Sequence, residues 1–115
     1  MITLSLVIPV GPSDDDHLQR LLASLDTQDY PKACLETLLI YQGNSEEAKA
    51  IGIQQAQGDI IGMLCTDNIL TTPDFLTQMV DAARQPGVVC AYTRHYAYFN
   101  EDTALNRYFA LLGAN

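Results

Sequence analysis

The feature that most constrains the fold is an alternation of short apolar runs with amphipathic segments. Residues 4–8 form an apolar run closed by Pro9, which predicts a buried β-strand. Ser13 and Asp14 follow as candidate N-caps of a helix that ends at Tyr30-Pro31. Leucines with the i, i+3, i+4, i+7 spacing of one helix face occupy that helix at Leu18, Leu21, Leu22 and Leu25.

The same alternation continues along the chain. We predict three further strands, at 35–41, 60–65 and 88–92, and a helix at 46–57. Thr72-Pro73 starts another helix, with the Thr72 hydroxyl as its cap and Pro73 in its first turn. A last helix carries an apolar face formed by Leu105, Tyr108, Phe109 and Leu112. This order predicts a single α/β domain over residues 1–115, a three-layer αβα structure with a mainly parallel sheet.

Ligands of such sheets bind beyond the carboxyl ends of the strands. The candidate site therefore lies in the loops that follow the four predicted strands, at residues 9–16, 41–45, 65–70 and 93–98.

Charge and cysteine content limit the partners and the compartment. Fourteen acidic residues against six Lys and Arg give a formal charge of −8, which argues against nucleic-acid binding. A phosphorylated ligand would need a metal ion or backbone N–H groups to offset that charge. Three cysteines without a CxxC pair indicate buried free thiols in a reducing cytoplasm. No apolar stretch reaches the length of about 18 residues that a membrane span needs.

The sharpest candidate for chemistry is the polar turn after the third predicted strand. It presents Asp67 and Asn68, a carboxylate and an amide oxygen of the kind that Mg²⁺ or Mn²⁺ binds together with substrate phosphates. The competing interpretation is an Asx turn that leads into the Thr72-Pro73 helix.

An ordered set of motifs resembles the nucleotide-sugar-binding half of family 2 glycosyltransferases, which have the GT-A fold. The resemblance covers about residues 3–85. It rests on motifs that occur in the family's order: the first strand that ends in Pro9, Gln-x-Tyr-Pro at 28–31, Gly43-Asn44-Ser45, the segments 48–53, 56–61 and 64–68, and Pro73-Asp74-Phe75-Leu76. It implies transfer of a sugar from a nucleotide-diphosphate sugar to an acceptor, with Mg²⁺ or Mn²⁺ on the diphosphate.

The resemblance also implies roles for individual residues. Asp67 matches the second acid of the family's Asp-x-Asp metal motif, and Asn68 the position after it. Pro9 and Val10 open the loop that meets the nucleobase. Three further positions would contact the base, the ribose or the phosphates: Tyr41, Gln42 and Lys49. Tyr41 could instead pack on its neighbours.

The sequence departs from the family pattern at several of these places. Cys65 stands where the first acid of the metal motif belongs, and Tyr41-Gln42 replaces an acidic pair. We identify no catalytic residue: Glu101 and Asp102 fit the first turn of the last helix, and His95 follows the fourth predicted strand. We therefore expect a truncated donor-binding domain that lacks an acceptor half, does not transfer sugar by itself and forms a homodimer through its uncovered surfaces.

Two other functions remain open from sequence. A receiver domain of two-component signalling would have a similar length, acids near 14–16 and an acid at Asp67. A non-catalytic binding module with the donor fold would show the same motifs without turnover.

Overall fold

The computed structural model of the chain describes residues 1–93. The predicted last helix, the 94–98 part of the fourth loop, and His95, Glu101 and Asp102 lie outside these residues. The described elements are β1 Leu4–Pro9, α1 Asp15–Asp26, a 3₁₀ turn Lys32–Cys34, β2 Leu35–Ile40, α2 Ser45–Gln55, β3 Ile60–Met63 and α3 Phe75–Ala83.

The three strands form one parallel sheet in the order β2-β1-β3. Leu4 of β1 lies opposite Leu35 of β2 on one side and opposite Ile60 of β3 on the other. The predicted α/β class and the parallel sheet are confirmed, and the arrangement is compatible with a Rossmann-like αβα fold. None of the helices within residues 1–93 has the length and apolarity needed to cross a membrane.

Helices cover both faces of the sheet because the side chains of β1 alternate between two apolar cores. Leu4, Leu6 and Ile8 join the larger core, to which α1 and α3 contribute Leu18, Leu21, Leu25, Leu76 and Val80. Val7 points to the other face, where it packs with Ile40 and Ala48 of β2 and α2.

Gly52 lets α2 approach β1 closely. A Cβ built at Gly52 would overlap the Val7 side chain, with Val7 Cγ2 only 2.9 Å away. A larger residue would therefore force α2 and the sheet apart.

Two predictions of local structure are wrong. Residues 88–92 form no strand, and Val89 is fully exposed. The thiols of Cys65 and Cys90 are exposed rather than buried, and Cys34 is half-buried, although all three are free.

The start of α3 also differs from its prediction. Asp74, not Thr72, occupies the N-cap position, and it makes no side-chain capping bond. Gln28 instead satisfies this end of the helix. Its Oε1 accepts from the Leu76 N–H at 3.0 Å, and its Nε2 donates to the Thr72 carbonyl at 2.7 Å. The buried Gln28 side chain thus joins the end of α1 to the start of α3.

Candidate functional site

A cavity of about 360 Å³ lies at the carboxyl ends of all three strands. The loop after β1, the N-terminal turn of α2 and the loop after β3 border it, and it is partly open to solvent. Its lining residues are Pro9, Val10, Gly11, Pro12, Asp14, Gly43, Asn44, Ser45, Ala48, Cys65 and Thr66. Its volume lies within the range of about 300–1,000 Å³ that small-molecule sites occupy.

The position of the cavity follows from the sheet order. The chain passes from β1 to β2 on one side and then crosses back to β3 on the other side of β1. The direction of the connections therefore reverses next to β1, and such a reversal leaves a crevice between the helices at the carboxyl edge of the sheet.

Asp14 shapes the wall formed by the loop after β1. It occupies the N-cap position of α1, yet its side chain makes no bond to the helix. Its Oδ2 instead accepts from the Gly11 N–H at 2.7 Å, which closes the loop and places the carboxylate in the cavity lining.

The opposite wall is the start of α2, held by a reciprocal capping box. Asn44 Oδ1 accepts from the Glu47 N–H at 2.9 Å, and Glu47 Oε1 accepts from the Asn44 N–H at 3.2 Å. Gly43 precedes this cap with a φ of 72°, a conformation that favours glycine. The α2 end is consequently rigid where it borders the cavity.

The loop after β3 provides the floor through Cys65 and Thr66. Asn68 stabilises this loop, because its Oδ1 accepts from the Cys65 N–H at 2.8 Å and its N–H donates to the Cys65 carbonyl at 3.0 Å. The side-chain bond runs back to residue 65, so it is not an Asx turn, in which the side chain accepts from the N–H two residues further along the chain. Asp67 is exposed and makes no side-chain hydrogen bond within residues 1–93.

The structure brings only some of the predicted site residues to the cavity. Pro9 and Val10 line it, and Asp67 directly follows the lining residue Thr66. Tyr41 and Gln42 are exposed and do not line it. Lys49 lies outside the lining and pairs with Glu46, with 3.1 Å between Lys49 Nζ and Glu46 Oε1.

The resemblance to glycosyltransferases assigned no site role to Asp14 or Thr66. Asp14 had the signature of a helix cap, and only the structure shows that its carboxylate bonds to Gly11 and that the residue lines the cavity. Thr66 lies in the loop predicted to follow the third strand, and that position was the only sequence feature that indicated a place near the site.

The donor set for a metal ion is small. Within residues 1–93 no three His, Cys, Asp or Glu side chains lie close enough together to hold one. Asp67 offers one free carboxylate beside the cavity, while Asn68 Oδ1 is already bonded to Cys65. One carboxylate fits a Mg²⁺ or Mn²⁺ ion whose other ligands are substrate phosphates and water.

Comparison of the chain with known protein families, curated proteins and solved structures finds no match.

Proposed function

We propose that the chain binds a nucleotide-diphosphate sugar in this cavity and serves as the donor-binding part of a glycosyltransferase. The observation that carries the proposal is the cavity at the carboxyl edge of the sheet, beside the strand where the connections reverse. The ordered motifs that resemble family 2 glycosyltransferases add the substrate class.

In this proposal, residues inside the cavity contact the nucleobase and a residue at its rim holds the metal ion. Pro9, Val10 and Ala48 offer apolar surface to a flat ring. Asp67, at the rim, would hold the divalent ion, which neutralises charge on the leaving diphosphate when it is bound. Among the described residues no Lys or Arg lines the cavity, so this ion is the means of offsetting phosphate charge there.

The position of α3 favours this function over a receiver domain. In a receiver the strand after β3 lies beyond it, and a right-handed crossover to that strand would put the intervening helix on the same face as α2. In this chain α3 packs on the opposite face, in the core that it shares with α1. Phosphorylation of Asp67 by a small-molecule phosphoryl donor would instead support the receiver-domain hypothesis.

The proposal predicts nucleotide binding that depends on a metal ion and on Asp67. We expect uridine diphosphate to bind with Mn²⁺ or Mg²⁺ and to lose measurable affinity after chelation. Asp67→Ala should weaken metal-dependent binding at least about tenfold, because it removes the carboxylate that we propose as the ligand of the ion. Isothermal titration calorimetry with and without EDTA measures both effects.

Asp59→Ala is the matched control, since Asp59 is an exposed acid just before β3, at the opposite end of the same strand. It should bind as the wild type does. Equal binding in EDTA would contradict the metal role. An unfolded Asp67→Ala variant, detected by circular dichroism, would show that Asp67 is structural.

A further inference from the structure

We propose that Asp14 and Thr66 recognise the ribose hydroxyls of the bound nucleotide and so determine its selectivity for ribose. This inference rests on the proposed function, since it takes a nucleotide as the occupant of the cavity. It adds two residues to which the sequence patterns gave no binding role.

The Asp14 carboxylate has acceptor capacity to spare. Its Oδ2 is bonded to the Gly11 N–H, whereas its Oδ1 makes no hydrogen bond within residues 1–93. Asp14 is one of the lining residues, and its bond to the Gly11 N–H holds the carboxylate in one orientation, so a ligand hydroxyl that reaches Oδ1 meets an acceptor that is already oriented. A carboxylate accepts from hydroxyls more strongly than a neutral oxygen does.

Thr66 supplies an independent indication that the cavity takes a polar ligand. The residue is only 8% exposed and lines the cavity. Its hydroxyl makes no hydrogen bond to another residue of the described part of the chain. A ligand hydroxyl in the cavity would therefore find in Thr66 a donor and acceptor that no other described residue uses.

The negative charge of the cavity lining favours the ribose over the diphosphate as the part of the nucleotide that binds beside Asp14. Asp14 contributes a negative charge, and no cationic side chain from residues 1–93 lines the cavity to balance it. Phosphate oxygens are therefore disfavoured beside Asp14, whereas uncharged hydroxyl donors are favoured. The ribose carries two adjacent hydroxyls, and the diphosphate is then left to the rim at Asp67.

The test compares uridine diphosphate with its 2′,3′-dideoxy analogue by calorimetry in the presence of Mg²⁺. The full-length wild-type chain should bind the ribose form about ten times more tightly. In Asp14→Asn the ratio of the two affinities should fall close to one. This variant keeps an oxygen that can accept from the Gly11 N–H, so the loop should keep its shape.

Thr66→Val removes the second hydroxyl contact with little change in side-chain volume, and it should lower the same ratio by a smaller factor. Asp15→Asn is the control, because Asp15 is the exposed neighbour of Asp14 at the start of α1 and does not line the cavity. It should keep the wild-type ratio.

Two outcomes separate the inference from the proposed function. If both nucleotides bind and Asp14→Asn retains the wild-type ratio, the inference is wrong and the proposed function stands. If the wild-type chain binds neither nucleotide, the proposed function itself is wrong. Circular dichroism of each variant confirms that the folded protein was measured.

Discussion

Glu36 joins two segments at the end of the sheet opposite the cavity. Its Oε1 accepts from the Gln57 N–H at 3.0 Å and from the Ser5 hydroxyl at 2.7 Å. Ser5 Oγ in turn accepts from the Gly58 N–H at 2.8 Å. The Gln57 bond first, and the Ser5 bond second, hold the pKa of Glu36 below its ordinary value. The charged carboxylate therefore stabilises the turn that leads into β3.

This lowered pKa predicts a pH-dependent contribution of Glu36 to stability. Because the folded-state pKa lies below the unfolded one of about 4.3, the contribution is present above that pH and is lost as the pH falls through the folded-state pKa. Glu36→Gln should thus be less stable than the wild type at pH 7, and the difference should shrink in acid. Urea midpoints at pH 7 and at acid pH measure it.

Asp59→Asn serves as the control for Glu36→Gln, because Asp59 is exposed and makes no side-chain hydrogen bond within residues 1–93. Its stability should follow that of the wild type at every pH. A Glu36→Gln deficit that stays constant into acid would show that the charge of Glu36 contributes nothing.

The positions of some single residues could be predicted from the sequence, whereas the roles of others could not. Pro9 and Val10 follow an unmistakable buried strand, so their place at the carboxyl edge could be read from the sequence. The roles of Asp14 and Gln28 could not, because each depends on where a side chain turns within the folded chain. Asp14 bonds back to Gly11 instead of capping α1, and Gln28 bonds to a helix that begins 47 positions later in the chain.

At the level of elements, Gln28 adds two hydrogen bonds to the core packing that holds the start of α3. We predict that Gln28→Ala destabilises the protein by about 1–3 kcal/mol, because it leaves the buried Leu76 N–H without its acceptor. The neighbouring bond from the Asp29 N–H to the Pro73 carbonyl would remain. Chemical unfolding in urea measures the change.

The control for this variant is Gln19→Ala, since Gln19 is exposed on α1. Its effect should be within about 0.5 kcal/mol of zero. Equal midpoints for the two variants would mean that the Gln28 bonds do not hold α3.

Periodicity predicted the three described strands and their helices because each has a face that the core must bury. Some boundaries shifted by up to four residues: β3 ends at Met63 instead of residue 65, and α1 ends at Asp26, four residues before Tyr30. Residues 88–92 were predicted as a strand from Val88, Val89 and Tyr92, which have high β-propensity. A strand also needs a neighbouring strand to pair with, and the presence of that neighbour depends on the fold and not on the residues of the segment itself. These three residues are exposed instead.

At the scale of the whole molecule, we predict that the outer edge of β3 mediates association. Within residues 1–93 β3 pairs only with β1, and Ile61 and Met63 are exposed on its α2-facing side. Edges and apolar patches of this kind favour pairing with another chain. We predict concentration-dependent self-association of the chain into a symmetric dimer, measured by light scattering.

Met63→Glu should weaken that association, because it places a charge on the exposed face of β3. Val89→Glu adds the same charge at a fully exposed position away from the sheet and should leave association unchanged. A wild-type chain that stays monomeric at all concentrations would contradict the dimer.

The central claim is that the ligand lies at the carboxyl edge of the sheet. The most direct test is a titration of the ¹⁵N-labelled chain with uridine diphosphate and Mg²⁺, followed through its backbone amide resonances. We predict shifts at Gly11, Asn44 and Thr66, which line the cavity, and none at Gln57 and Gly58, which lie at the opposite end of the sheet. Shifts confined to Gln57 and Gly58, or no shifts at saturating nucleotide, would contradict the claim.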